Sequence, residues 1–362
     1  MEYPDKFVSL VNKIYTTEDQ YVQFIGQGYP HAQILLVGKA CNIDLSTTRG
    51  KGCYEMEYMH NAVQWKNNID KKVESLDVKD WRESRSIGED NYNPLYPYRG
   101  VNNIKAKRAE SGEVINRGAS ATWCAYQNLM EKICHYPSKS SHIDFHQSSF
   151  VTALSSIPSP VDVYSVDVDN SVKIRCGELF NQPYFQSFPI TIVACGRFIK
   201  DYHVDIESVF NQKYESMIED GGDWMRLYKN GNRLLIHTKP ISLCSESLLE
   251  TIASKVQQHL ELPLLKYCLY FDGTEESCEN SLYGSYERHW LYGNVRTNNH
   301  EYLWDVQDMI HHGISEKWID SFGIPRTLVG IFYNRYCHWL GIYNKNDFMK
   351  WFENIRSGKY RE

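Results

Sequence analysis

A short apolar run closed by glycine, QILLVG at residues 33–38, is the first indication of the fold. Such a run is typical of a buried strand of a parallel sheet that leads into a loop. Three further runs have the same form. They are SFVTAL at 149–154, PITIVACG at 189–196 and RLLIH at 233–237. The sequence therefore predicts four buried strands.

Helical patterns lie before, between and after these strands. Residues 6–15, 171–180 and 245–260 carry apolar residues at helical spacing, and Ser245 is placed to cap the last segment. Strands that alternate with helices predict an α/β fold in which a parallel sheet is covered on both faces.

The ligand site of such a sheet lies beyond the carboxyl ends of its strands. In this chain the strand ends are followed by residues 38–44, the residues around Ala153, Gly196, and residues 237–242. We expect these four segments to converge at one site.

Composition and charge narrow the class of protein. The chain has 362 residues, 42% of them hydrophobic and 23% charged, which is enough for one large domain or two domains with a full core. A formal net charge of -6 argues against a surface that grips nucleic acid everywhere, but it leaves room for a local basic groove. The ten cysteines are scattered without a CxxC pair, so we predict neither a metal nor a cofactor.

Other sequence signals exclude further classes. No apolar run is long enough to span a bilayer, and the start, MEYPDKFVSLVNKIY, is not a secretion signal, so the sequence predicts a cytoplasmic protein without a membrane partner. No GxxxxGK[ST], GxGxxG or GxSxG motif is present, which disfavours nucleotide hydrolysis, dinucleotide chemistry and esterase chemistry. HIDFH at 142–146 has the histidine spacing of some metal sites, but without a third ligand it is better interpreted as an exposed polar turn.

The chain divides into two regions by composition. The alternating pattern covers residues 1–262 with a polar insertion at about 50–120, and an aromatic-rich C-terminal region follows at 263–362. Within the insertion, the segment 99–118 is basic, which makes it a candidate for phosphate contacts, with a solvated loop as the alternative. The candidate DNA-backbone residues are Arg99, Lys105, Lys107, Arg108 and, after the last strand, Lys239.

Four motifs follow one another at the strand ends. They are ILLVGKACNID at 34–44, SFVTALSSIPSP at 149–160, IRCGELF leading into FPITIVACGRFI over 174–199, and RLLIHTKPIS at 233–242. In this order, over about residues 30–260, they resemble the uracil-DNA glycosylase superfamily. The resemblance implies a three-layer α/β/α sandwich with a short central parallel sheet. It also implies an enzyme that flips a base out of duplex DNA and hydrolyses its N-glycosidic bond, leaving an abasic site.

The resemblance implies catalytic roles in the first and fourth motifs. His237 matches the histidine that donates a hydrogen bond to the carbonyl oxygen of the departing pyrimidine; its alternative role is to cap a strand end through a backbone hydrogen bond. Lys39 and Ala40 stand where relatives carry a water-activating carboxylate, so the usual activator is absent. Asn42 is then the candidate to position water and Asp44 to supply a carboxylate, with a simple turn as the alternative for both.

A second departure concerns recognition of the base. Ala153 stands where relatives read the base with an asparagine amide, so we expect a cleft that admits a larger or modified pyrimidine. Some relatives in phage-defence loci remove sugar-decorated cytosines, such as glucosylated hydroxymethylcytosine, and the insertion and C-terminal region suit that branch. Tyr54 or Trp65 is a candidate to stack on the flipped base, with core packing as the alternative. The candidate substrate-binding residues are Gly38, Lys39, Ala40, Tyr54, Ala153 and Ser242, the last to contact a phosphate or cap a turn.

Three functions are compatible with these residues. A DNA glycosylase for a modified or deaminated pyrimidine needs His237 to stabilise the leaving base and Asn42 or Asp44 to place water. A catalytically silent module with the same fold would only bind modified nucleic acid or a nucleotide. A small-molecule glycosidase would have a closed pocket without a basic groove. Geometry separates the first two, because Asn42 or Asp44 facing His237 across one pocket favours the enzyme, and Asp44 turned to solvent favours the binding module.

Overall fold

The computed structural model describes residues 3–41, 43–73, 93–108, 114–116, 118–133, 143, 145–158 and 164–260. The predicted C-terminal region at 263–362 lies outside these residues. The strands are β1 Gln27–Gly28, β2 Ile34–Gly38, β3 Lys107–Arg108, β4 Val114–Asn116, β5 Ser149–Ala153, β6 Ile190–Val193, β7 Lys213–Asp220, β8 Asp223–Asn230 and β9 Arg233–Thr238. The helices are α1 Asp5–Tyr15, α2 Thr48–Tyr54, α3 Asn61–Asp70, α4 Ala121–Ile133, α5 Val166–Ile174, α6 Phe198–Asp201, α7 Ile206–Phe210 and α8 Glu246–Leu260.

Seven of these strands form one sheet, in the order β1-β5-β2-β6-β9-β8-β7. The central strands β5, β2, β6 and β9 are parallel, and they are the four apolar runs that the sequence predicts. The α/β class is thus confirmed. The sheet as a whole is mixed, because β1 pairs antiparallel with β5 and the β7–β8 hairpin extends the opposite edge antiparallel to β9.

The central strands place alternate side chains on opposite faces of the sheet. On β2, Leu35 and Val37 belong to an apolar cluster that includes side chains of α1, α3, α5 and α7. Ile34 and Leu36 belong to a second cluster, with side chains of α4 and α8. Apolar side chains of helices therefore cover both faces of the central strands, as continuous apolar strands require.

Two of the three predicted helices are present as single α-helices. In α1, Phe7, Leu10, Val11 and Ile14 are buried, whereas Tyr15, at the end of the predicted stripe, is 48% exposed. The hydroxyl of Ser245 accepts a hydrogen bond from the Leu248 N–H at 3.2 Å, which is the predicted cap of α8. The third segment is not one regular helix, because the α-helix ends at Ile174 and continues as a π-helical turn over Arg175–Leu179.

The first part of the predicted insertion is built into the core. Trp65 on α3 is fully buried, and its indole N–H donates to the Gly26 carbonyl oxygen at 2.9 Å. The Asn61 side-chain oxygen accepts from the backbone N–H groups of Ile25 and Gly26 at 3.0 and 3.1 Å. Helix α3 therefore fixes the chain that leads into β1. Trp65 takes the core-packing role, and its proposed stacking on a flipped base is wrong.

Two residues that were predicted at the surface, one in the insertion and one shortly before β5, are buried near each other. Arg99, a predicted DNA-backbone contact, is fully buried, with its guanidinium carbon 5.4 Å from the centre of the Tyr96 ring. That prediction is wrong, because a buried side chain cannot meet a phosphate at the surface. His146, predicted in an exposed turn, is also fully buried and stacks on Phe145 at 4.1 Å between ring centroids.

Replacing His146 by leucine is expected to raise the free energy of unfolding by about 1–2 kcal/mol, measured by urea unfolding at pH 7. Both ring nitrogens of His146 are buried without a hydrogen-bond partner in the part of the chain that the structure describes. Leucine removes both of these desolvated atoms. His60→Leu is the control, because His60 is exposed and its replacement leaves no buried atom changed.

The pH dependence of stability gives this prediction a second test. Burial, followed by the nearby charge of Arg99, lowers the pKa of His146 well below its usual value. Below about pH 6.5 the unfolded chain therefore takes up a proton that the folded chain does not, so wild-type stability falls by up to about 1.4 kcal/mol per pH unit for this group. In His146→Leu, the free energy of unfolding should therefore fall less steeply as the pH is lowered. An unchanged acid slope and no gain at pH 7 would contradict the prediction.

Candidate functional site

The carboxyl ends of β2 and β5 are tied together by backbone hydrogen bonds. The N–H of Leu154 donates to the Gly38 carbonyl oxygen at 2.8 Å, and the N–H of Ser155 donates to the Lys39 carbonyl oxygen at 2.9 Å. The first strand-end loop, which carries the candidates Gly38, Lys39 and Ala40, therefore starts beside the residues that follow Ala153.

The ends of β6 and β9 join the same edge. The N–H of Ala194 donates to the Val37 carbonyl oxygen at 2.8 Å, and the N–H of Gly196 donates to the Thr238 carbonyl oxygen at 2.9 Å. Gly196 has a φ of +54°, and a Cβ atom there would lie 3.1 Å from Pro240 Cδ, so both conformation and space favour glycine. The four strand-end segments thus meet at one edge, as expected.

His237 lies at this edge, on β9, and is 3% exposed. Its Nε2 lies 3.2 Å from the Gly196 carbonyl oxygen, so the ring is bound to backbone in the way that a strand-end cap would be. Burial lowers the pKa of His237 to about 4, against the opposing effect of the Gly196 carbonyl, so the imidazole is neutral at pH 7. Its Nδ1 is buried and has no hydrogen-bond partner among the described residues.

Two residues of β8, which the sequence analysis missed, flank His237. Arg226 is the cross-strand neighbour of His237. The Trp224 ring meets the imidazole edge to face, at 5.0 Å and 79°, and the Arg226 guanidinium lies 5.7 Å from the centre of the Trp224 ring. Trp224 is half-buried and Arg226 is exposed, so this stack leads from the buried histidine to the surface.

Asp44 does not face His237 in a buried site. Its carboxylate is exposed and accepts hydrogen bonds from the Ser46 N–H at 2.9 Å and the Ser46 hydroxyl at 2.7 Å. The Ser46 hydroxyl and N–H lower the pKa of Asp44, so the carboxylate is charged and held in a local turn. Asn42, the other candidate to place water, lies outside the described residues.

Ala153 packs against the protein's own side chains. It is 6% exposed and lies in an apolar cluster with Phe24, Cys41 and Tyr58. The Phe24 and Tyr58 rings stack at 4.1 Å between centroids. The small side chain therefore makes room for these rings rather than for the larger base that the sequence suggested.

Tyr54 borders this aromatic cluster from α2. It is half-buried and stacks on Tyr58 at 5.7 Å, and burial raises its pKa to about 12. Burial also raises the pKa of Cys41 to about 12, so at pH 7 Cys41 is a thiol, hydrogen-bonded to Tyr58. Neither residue supplies a nucleophile at neutral pH. Tyr54 is only half-buried, and its stacking on a base stays a prediction.

Arg175 joins the end of β5 to the segment that precedes β1. It was not predicted as a site residue. It is fully buried, and its Nη1 donates to the Tyr21 and Phe24 carbonyl oxygens at 2.9 and 2.6 Å. Its Nε donates to the Ala153 carbonyl oxygen at 3.1 Å, and its Nη2 to the Thr152 hydroxyl at 3.0 Å. Burial lowers its pKa to about 9, so a positive charge remains at pH 7 beneath the aromatic cluster.

The remaining basic candidates have different surroundings. Lys105 and Lys107 are exposed, and Lys107 and Arg108 form β3; the phosphate contacts of these residues stay a prediction. Lys239 is bound to Asp223, whose carboxylate also accepts from the Ser245 hydroxyl, so a phosphate would have to compete with this ion pair. Ser242 is exposed in a short 3-10 turn that follows β9.

No family model, curated protein or solved structure matches the chain. Across the described ranges, no three His, Cys, Asp or Glu side chains come together as metal ligands, and no helix has the length and apolarity needed to cross a membrane.

Proposed function

We propose that this chain is a uracil-DNA-glycosylase-like module that binds a modified or deaminated pyrimidine, flipped out of duplex DNA, at the carboxyl edge of its parallel sheet. The order of the four strand-end motifs supports the assignment to that superfamily. The helices on the two faces of the central strands support a three-layer α/β/α arrangement. Cytoplasmic defence against DNA with modified bases is the role that we propose for such a module.

The position of Asp44 favours binding over hydrolysis. Its exposed carboxylate is occupied by Ser46, while His237 is buried at the sheet edge. A hydrolytic pair would have to place water and stabilise the leaving base across one pocket. Asp44 in this turn does not supply the first of these functions, so a binding module is the better proposal.

Hydrolysis remains a second candidate function because of the protonation state of His237. Its pKa of about 4 keeps the imidazole neutral at pH 7, and a neutral imidazole can donate its one N–H to the carbonyl oxygen of a leaving base. This role would require Nε2 to leave the Gly196 carbonyl oxygen, and Asn42 would have to place the water.

One assay separates the two functions. Duplex and single-stranded oligonucleotides carrying uracil, 5-hydroxymethylcytosine or its glucosylated form are titrated against unmodified DNA by fluorescence anisotropy. The same samples are then treated with alkali, which cleaves strands at abasic sites. We expect one modified duplex to bind at least about tenfold more tightly than unmodified DNA, without alkali-labile sites.

Two histidine variants provide the matched comparison. His237→Ala should remove the preference for the modified duplex. His259→Ala should keep it, because His259 is a half-buried residue of α8 whose ring also bonds to a backbone carbonyl oxygen, that of Asn232, away from the site. Alkali-labile strands that require His237 would overturn binding without hydrolysis and establish a glycosylase. Equal binding of all duplexes would overturn both functions.

A further inference from the structure

The two ring nitrogens of His237 have different hydrogen-bonding roles. Nε2 lies 3.2 Å from the Gly196 carbonyl oxygen, and a carbonyl oxygen only accepts, so Nε2 carries the proton. Burial keeps the ring neutral at pH 7. Nδ1 therefore carries a lone pair and can only accept a hydrogen bond.

This acceptor is unused in the structure. Nδ1 is buried and has no hydrogen-bond partner among the residues described, which is uncommon in native proteins. The groups near the ring include the Gly196 carbonyl, from the loop after β6, and Trp224 and Arg226, from β8. The carbonyl oxygen is an acceptor itself, and neither β8 side chain donates to Nδ1. The site therefore lacks one hydrogen-bond donor.

Trp224, which packs against His237, lies close to the turn of the β7–β8 hairpin. Trp224 follows the turn at Gly221 and Gly222, both of which have positive φ and open space around the position of a Cβ atom. A base that displaces the Trp224 ring can bring its polar edge into the plane of the imidazole, where the lone pair of Nδ1 points. Such a base gains a hydrogen bond if it presents a donor to Nδ1.

We propose that Nδ1 of His237 accepts a hydrogen bond from the exocyclic amino group of the bound base, so that the site takes a cytosine-type pyrimidine in preference to a uracil-type one. This inference deepens the proposed function and rests on it. It reverses the role implied by the resemblance, in which the histidine donates to a carbonyl oxygen. A uracil O4 beside Nδ1 would bring two lone pairs together without a proton between them.

Three DNA duplexes isolate the contribution of the amino group. Each carries one target base, cytosine, 2-pyrimidinone or uracil, opposite a tetrahydrofuran abasic analogue, so that base pairing does not oppose flipping. The 2-pyrimidinone is cytosine without its amino group. We expect the full chain to bind the cytosine duplex at least about tenfold more tightly than either of the others, the effect of one hydrogen bond to a buried acceptor.

Two substitutions separate the two nitrogens. Asparagine carries its amide near the position of Nδ1, so His237→Asn retains an acceptor there and should keep the preference for cytosine. Glutamine carries its amide near Nε2, so His237→Gln retains the donor to Gly196 and should lose the preference. If His237 acts only through its bond to Gly196, His237→Gln should instead keep the preference for cytosine and His237→Asn should lose it. Circular dichroism and urea midpoints establish that both variants fold.

The outcomes distinguish this inference from the proposed function. Three results would overturn the proposed recognition of the amino group. They are equal binding of the cytosine and 2-pyrimidinone duplexes, tighter binding of the uracil duplex, and no binding of any target. If modified duplexes are still preferred in the anisotropy assay, the proposed function stands and only the inference fails. If that preference is absent as well, both are overturned.

Discussion

Replacing Arg175 by methionine is expected to lower the free energy of unfolding by about 3 kcal/mol or more, measured by urea unfolding at pH 7. The guanidinium satisfies the carbonyl oxygens of Tyr21, Phe24 and Ala153 as well as the Thr152 hydroxyl. Methionine fills much of the same volume but leaves these buried acceptors without donors. Arg175→Lys should also lose most of this stability, because an ammonium cannot reproduce the planar array of donors.

Arg197→Met is the matched control for Arg175. Arg197 is exposed immediately before α6, so its replacement should change the free energy of unfolding by no more than about 0.5 kcal/mol. If Arg175→Met is as stable as Arg197→Met, Arg175 does not hold the end of β5 to the segment that precedes β1.

Replacing Trp65 by alanine is expected to destabilise the protein by about 3–5 kcal/mol. The indole is fully buried, it contacts Phe7 edge to face at 5.0 Å between ring centroids, and its N–H donates to Gly26. Alanine leaves a large cavity and removes that hydrogen bond. Urea unfolding and the thermal midpoint measure the loss.

Trp123 provides the control for this cavity. It is only half-buried, on α4, so Trp123→Ala should cost less than half as much. A loss of less than about 1 kcal/mol for Trp65→Ala would contradict this prediction and would show that the segment around α3 is a dispensable insertion. The large loss of stability that we expect for Trp65→Ala would show that the segment around α3 is part of the core.

The central strands could be predicted because each is a nearly continuous apolar run. The β7–β8 hairpin could not be predicted in the same way, because β7 is an edge strand with mostly exposed, charged residues and without a clear alternation. Its one local signal was the turn DGGD at residues 220–223, which is typical of a tight hairpin. Missing this hairpin meant that Trp224 and Arg226 were missed too.

The candidate site was predictable in position and not in detail. His237 was located because it ends an apolar strand, but its partner Gly196 lies 41 residues away and is reached only through β6–β9 pairing. Arg99 was assigned to the surface because charged side chains are seldom buried, and only tertiary packing on Tyr96 reverses that expectation. Arg175 was missed for the same reason.

The most direct test of a base-binding site at this edge is the state of His237 itself. Long-range 1H–15N NMR of the histidines, with His237→Gln to assign the resonance among the 13 in the chain, reports both ring nitrogens. At pH 7 we predict the neutral form protonated at Nε2, and a shift of Nδ1 when the cytosine-target duplex binds, with the DNA strands intact to alkali. A doubly protonated ring, bound DNA without any change at His237, or alkali-labile strands would contradict the account.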